Sequence, residues 1–191
     1  MRSRGHGAKS RRCQGGVGII EVLVALVVVS FGVLGMAGLQ LTGMKHSNNG
    51  FNRSKALILT ENIATRMRIN MQGVVNGSYD GFDSGADANY CNVKPVPYCQ
   101  ASKGSAAQSC TVDELATFDL FSVSCGDWGS SGASGGVNEQ LPSGARLEVD
   151  CDDSPCEDTS TYTLSVSWPE SRTARSDEAP VVRRVQMVLR P

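Results

Sequence analysis

The chain has 191 residues, 40% hydrophobic and 19% charged, with a formal net charge of −1. That length suits one modest domain plus an anchor, and the charge balance gives no electrostatic reason to expect general nucleic-acid binding. Two histidines in all, His6 and His46, leave a Ser-His-Asp or Cys-His site without a well-placed base, which argues against a hydrolase.

The near-neutral total hides an asymmetry. Residues 1–16, "MRSRGHGAKSRRCQGG", hold five basic groups (Arg2, Arg4, Lys9, Arg11, Arg12) and no acid. Taking those five from the eighteen basic residues leaves thirteen against nineteen acids, a balance of −6 for the remainder. A basic head ahead of an apolar run is a targeting signature, and such heads stay on the cytoplasmic side.

The run that follows, "GGVGIIEVLVALVVVSFGVLG", opens a stretch from Val17 to Met44 with one charge, Glu21. It exceeds the roughly 20 residues that span a bilayer as a helix. A carboxylate inside such a span costs about 2.5–3.5 kcal/mol at the centre on insertion scales, so function is the default reading of Glu21. Small residues, Gly15 and Gly16, stand before the apolar core, whereas an ordinary cleavable signal carries them after it. Cleavage after Gly16 explains both features: Val17 becomes a free amine, and Glu21, the fifth mature residue, gains a cation to face in low dielectric. That amine belongs to the same helix or to a neighbouring subunit, and in the second case Glu21 is a registry device.

"GVGIIEVLVAL" resembles the class III signal of type IV prepilins, in which a glycine is followed by an apolar residue and a glutamate at mature position five. The resemblance implies cleavage after Gly16 and N-methylation of Val17 by the prepilin peptidase, and a role for Glu21 in assembly. Val17 stands where the family usually has phenylalanine, and Gly18 where it often has threonine.

Further along, Gly32, Gly35 and Gly38 recur every three residues, each costing about 1 kcal/mol relative to alanine in a helix. They read either as close helix packing or as a segment able to unwind when the subunit leaves the bilayer. "HSNNG", His46 to Gly50, is a poor helix former and marks a candidate kink. In "ALILTENIATRMRINMQG" the residues Ala56, Leu59, Ile63, Met67 and Met71 form an apolar stripe that predicts a domain-packed helix to about Met71. A helix from Val17 to that point would be roughly 80 Å long. Arg66 and Arg68 read as a solvated face or as partners for acids on neighbouring subunits.

Beyond Gly73 the chain is rich in Gly, Ser, Asp and Asn up to Cys110 and reads as a tethered loop region. "TVDELATFDLFS" predicts a short helix with Thr111 and Glu114 in capping-box spacing. "GSSGASGGVN" reads as a flexible loop. Then "ARLEVD", "YTLSVSW" and "VRRVQMVL" alternate with period two, which predicts half-buried antiparallel strands. Their inward residues are Leu147 and Val149; Tyr162, Leu164, Val166 and Trp168; and Val185, Met187 and Leu189. One long helix on a small antiparallel sheet is an α+β arrangement.

Of seven cysteines, Cys13 lies in the basic head; Cys91, Cys99, Cys110, Cys125, Cys151 and Cys156 follow the apolar run. An even number on the exported side predicts disulfides. Zinc is the competing reading, but no C-x-x-C pair occurs and His46 is distant in sequence. Six cysteines allow 15 pairings, and the close spacing in "CDDSPC" favours Cys151–Cys156 as a single bond. "DCDDSPCED", Asp150 to Asp158, reads as an acidic solvated loop or as a Ca²⁺ site, though without the glycine and glutamate of an EF-hand.

The resemblance extends past the signal. "EVLVALVVVSFGVLGMAGLQ", "RMRIN", "LPSGARLEV" and "YTLSVSW" resemble segments of the type IV pilus modification protein PilV family. This implies a type IV pilin fold and a minor pilin, not an enzyme, that joins a priming or tip complex and supports pilus biogenesis, twitching motility and adhesion. Its partners would be other minor pilins, the major pilin, the prepilin peptidase and the inner-membrane assembly platform, with no cofactor, metal or nucleic acid. The implied organisation is a leader (1–16), a transmembrane assembly half of the stalk (17–44), a second stalk half (45–72) and a globular domain (73–191). The domain would lie in the periplasm before assembly and on the pilus or cell surface afterwards. A minor pseudopilin of a type II secretion system shares the signal and fold and is the alternative; a calcium- or ligand-binding anchored module is another.

Overall fold

The computed structural model describes residues 18–101, 106–157, 159–170 and 180–190. The basic head, Gly16, Val17 and Asp158 lie outside them. The chain divides into a first unit ending at His46 and a second beginning at Ser47. Helix α1 (Ile19–Ile69) contributes its first part to one and its last part to the other.

In the first unit every large apolar side chain from Ile19 to Met44 is exposed. A helix apolar on all sides has no core-facing stripe of its own and suits a membrane interior. By length and composition α1 is able to cross one. The hydroxyls inside this stretch are satisfied locally: Ser30 Oγ donates to the Leu26 carbonyl at 2.7 Å, and Thr42 Oγ1 to that of Gly38 at 3.0 Å.

Residues His46–Gly50 do not interrupt α1. Helical assignment runs through them, and Ser54 Oγ donates to the Gly50 carbonyl at 3.1 Å. Poor propensity at a few positions loses to propagation once a helix is nucleated on both sides.

In the second unit α1 turns amphipathic. Ala56, Leu59, Thr60, Ile63, Ala64 and Met67 are buried. Met71, expected to extend the stripe, does not: α1 ends at Ile69, Asn70 departs from helical geometry (φ −100°, ψ 55°), and Met71 opens the separate short helix α2 (Met71–Val75) with its side chain exposed. Gly73 leaves room for the Asn70 side chain: a Cβ at that position would lie 2.5 Å from the Asn70 amide nitrogen, which would have to shift away.

The stripe packs on a four-stranded antiparallel sheet of order β1 (Phe82–Asp83), β4 (Arg146–Cys151), β5 (Tyr162–Glu170) and β6 (Val181–Leu189). Leu147, Val149, Tyr162, Leu164, Val166, Trp168, Val185 and Leu189 face this core, and Met187 is partly buried against it. Tyr162 also donates its hydroxyl to the Val74 carbonyl at 2.7 Å, tying β5 to α2. Strand β5 is more enclosed than alternation predicts, since Ser165 and Ser167 on its other face are also buried. Longer side chains flank them: Ser165 Oγ donates to Glu148, which pairs with Arg184 at 3.3 Å.

Helix α3 (Val112–Cys125) starts with a complete capping box: Thr111 Oγ1 accepts from the Glu114 N–H, and Glu114 accepts from the Thr111 N–H. Ala116, Leu120 and Val123 join the main core. Phe118 and Phe121 instead meet a second aromatic group: Phe118 packs edge-on to Tyr98 at 4.9 Å, and Phe121 lies 5.9 Å from Tyr90 and 6.1 Å from Trp128.

The "GSSGASGG" stretch is not a flexible loop. Strands β2 (Gly126–Gly129) and β3 (Gly132–Gly135) form a hairpin with Trp128 opposite Ala133, followed by the short helix α4 (Val137–Gln140). Gly126, at φ 89°, is obligatory, because a Cβ there would sit 1.9 Å from the Ser134 carbonyl oxygen.

The six described cysteines pair as Cys91–Cys125, Cys99–Cys110 and Cys151–Cys156, with Cα separations of 5.2, 5.8 and 6.2 Å. By loop length the chain-entropy contributions are about 4, 3 and 2 kcal/mol. Two of the bonds brace the segment around the 3₁₀ turn Tyr90–Asn92, which contributes little to the main core.

Candidate assembly site on the N-terminal helix

Glu21 occupies the first turn of α1, where the positive end of the helix dipole favours a carboxylate. Its own N–H and that of Val22 donate to the Gly18 carbonyl at 3.0 and 3.3 Å. The side chain is exposed, beside a shallow groove lined by Val22, Ala25, Leu26 and Val29. Among the described residues of the first unit before Lys45 it is the single charge.

At about 100° per residue, Glu21, Ala25, Gly32 and Gly43 fall within roughly 40° of one another around the helix. The acid thus shares a face with small residues along which another helix can approach closely. Gly38 is turned about 100° from Glu21 and off that face. A Cβ added at Gly32, Gly35, Gly38 or Gly43 meets nothing within 4 Å, so no contact inside the chain requires glycine at these positions. Gly32 fits close helix packing, whereas Gly38 fits a weakened helix.

Arg66, read as a solvated group or as a partner for a neighbouring subunit, is engaged within the chain. Its guanidinium pairs with Asp119 at 2.9 Å, and it also donates to Ser122 Oγ. Asp119 is 5% exposed and accepts from the Tyr79 hydroxyl at 2.8 Å; Asn70 donates to that same hydroxyl at 3.1 Å and to the Val112 carbonyl at 2.7 Å. Burial, and then the Asp119 charge, push the Tyr79 hydroxyl well above the ordinary tyrosine range. Arg68 remains exposed. Sequence reasoning missed Asn70, Tyr79 and Asp119. The available signal was an acid, Asp119, flanked by Phe118 and Leu120, the same anomaly that singled out Glu21.

The acidic loop is occupied with its own closure. Asp152 Oδ1 accepts from the Thr161 N–H at 2.6 Å, Asp153 Oδ2 from Ser160 Oγ at 2.8 Å, and Asp80 Oδ1 from the Cys151 N–H at 2.8 Å. Burial, followed by Glu148, Asp80 and Asp83, raises the Asp150 carboxyl above its usual value. Asp80, Cys151 and Cys156 come together, but both sulfurs belong to one disulfide and offer no thiolate to a metal.

A protein-family model described as Tt1218-like, type IV pilin Tt1218, matches residues 38–121. The match spans α1 from Gly38 through most of α3; Glu21, the hairpin and strands β4 to β6 lie outside it. Comparison with curated proteins and with solved structures gives no match. With the long apolar helix, the antiparallel sheet and the disulfides, this match fits the α+β type IV pilin fold and supports a type IV pilin, a structural rather than enzymatic class.

Proposed function

We propose that the chain is a minor pilin of the PilV kind. In this reading it is cleaved after Gly16 by the prepilin peptidase, N-methylated at Val17, and held in the bacterial inner membrane with its C-terminal domain in the periplasm. It then joins other minor pilins and the major pilin, through the assembly platform, in a complex that primes the filament or caps its tip. Pilus biogenesis, twitching motility and adhesion are the processes it serves.

The observation that carries this reading is Glu21: one carboxylate near the start of a helix segment apolar on every side, on the same face as Ala25, Gly32 and Gly43. A lone acid in lipid is too costly to keep without a cation. The amine freed at Val17, four residues away, is the cation that processing would supply, either within the chain or on a neighbour.

Mass spectrometry of the protein from its native host tests the processing. The expected mature chain begins with methylated Val17; recovery of the chain with residues 1–16 attached contradicts the proposal. Deletion of the gene separates the filament role from that of a secretion pseudopilin. Loss of pili with secretion intact supports the first, and loss of secretion with pili intact contradicts it.

A further inference from the structure

Two Asn-Gly pairs occur in the chain, Asn49–Gly50 and Asn76–Gly77. Glycine has no Cβ, so its backbone nitrogen is open to close approach. An asparagine carboxamide just before it is therefore exposed to attack by that nitrogen.

The fold treats the two pairs differently. Asn49 and Gly50 lie inside α1, with helix continuing on both sides. Attack there needs several cooperative helical hydrogen bonds broken together. Asn76 is exposed and caps the end of α2, a helix of five residues. Gly77 follows at φ 75° and turns the chain. Its N–H donates to the Val74 carbonyl at 3.0 Å, and the Ser78 N–H donates to the Gly73 carbonyl at 2.9 Å. Only this turn has to fray to bring the Gly77 nitrogen onto Asn76 Cγ, and such ends open at the low end of local unfolding free energies.

The Asn76 carboxamide is held at both of its polar atoms. Gln72 Nε2 donates to Asn76 Oδ1 at 3.1 Å, and Asn76 Nδ2 donates to Asp113 Oδ1 at 3.4 Å. The first bond places a donor on the oxygen that gathers negative charge during attack. The second, together with the Ser78 hydroxyl, joins the turn to Asp113 at the start of α3. A carboxylate in place of the carboxamide would turn that donor into an acceptor facing an acceptor, with like charges in contact range. The first turn of α3 already holds Asp113 and Glu114, so a further acid beside it meets repulsion.

We propose that Asn76 is a self-modifying site whose reaction loosens α2 from α3. The Gly77 nitrogen bonds to Asn76 Cγ, the Cγ–Nδ2 bond breaks, and the amide proton of Gly77 leaves with the amino group as ammonia. Water then opens the resulting succinimide at either carbonyl, leaving aspartate or isoaspartate at position 76. Water is the sole co-reactant. The reaction requires neither cleavage at Gly16 nor entry into a filament, so its failure would leave the filament reading standing, and the converse also holds.

The test incubates the full chain in detergent at neutral pH over weeks, with peptide mass spectrometry that separates aspartyl from isoaspartyl products. Product at position 76 is expected at least about tenfold faster than at Asn49, equivalent to about 1.4 kcal/mol of barrier. Isoaspartate should be present, because direct attack by water on the side chain gives aspartate alone. The variant Asn76→Asp reproduces one product without the reaction. It should lower the melting temperature by about 2 °C, and by clearly less when Asp113→Asn is also present. Three results would overturn the proposal: equal rates at the two asparagines, aspartate without isoaspartate, or the same change in melting temperature with and without Asp113→Asn.

Discussion

Asp119 shows what a single residue does in this fold. Its carboxylate accepts from Arg66 at the end of α1 and from Tyr79 in the segment after α2, while it sits on α3 itself. One nearly buried side chain therefore fastens three parts of the second unit. Replacing it with alanine leaves Arg66 half-paired and the Tyr79 hydroxyl without its acceptor, so Asp119→Ala should destabilise the protein by about 3 kcal/mol. Tyr79→Phe, which removes one hydrogen bond and keeps the ring, should cost about 1–2 kcal/mol. Denaturant melts of the two variants check the ordering; equal stability of wild type and Asp119→Ala would show the network to be idle. A chain read in one dimension marks such a residue only as an acid among apolar neighbours. It does not say that the cation is 53 positions away, which is why Arg66 read as a solvated group or as a partner for a neighbour.

At the level of elements, what could be read beforehand and what could not divide along physical lines. The inward residues of β4, β5 and β6, the stripe from Ala56 to Met67, and the capping box of α3 were legible because local periodicity and end chemistry specify them. The β2–β3 hairpin was not. Its sequence is mostly glycine and serine, and its order comes from positive-φ glycines and the packing of Trp128 against Phe121. Met71 left the stripe because Asn70 turns its side chain inward to Tyr79 and Val112 and ends the helix. The glycines of α1 support a prediction at this scale. Alanine fits at Gly32, Gly35 and Gly38 without a clash inside the chain, and it should stiffen the helix by about 1 kcal/mol per site. The triple variant should insert into membranes and melt in its second unit as wild type does, yet enter filaments less. Normal incorporation into sheared pili would remove the helix-weakening role.

For the whole molecule, the two units divide the work. The second has its own sheet, core and disulfides. Among the described residues of the first, none is buried, and from Ile19 to Met44 the surface is mostly apolar with Glu21 its single charge, so lipid or other helices are the natural partners of that surface. Much of this division is visible in the amino-acid order, because a charge-poor run of such length is hard to mistake. Glu21 was legible only as an anomaly, since among the described residues of the first unit before Lys45 it has no cation beside it, and the proposed counter-charge would come from processing or from a neighbour. The most direct measurement is the amount of this chain in pili sheared from the native host, compared between wild type and Glu21→Gln at equal membrane levels. The account predicts that the variant is inserted but nearly absent from the filaments. Equal amounts in the two pilus fractions would contradict it.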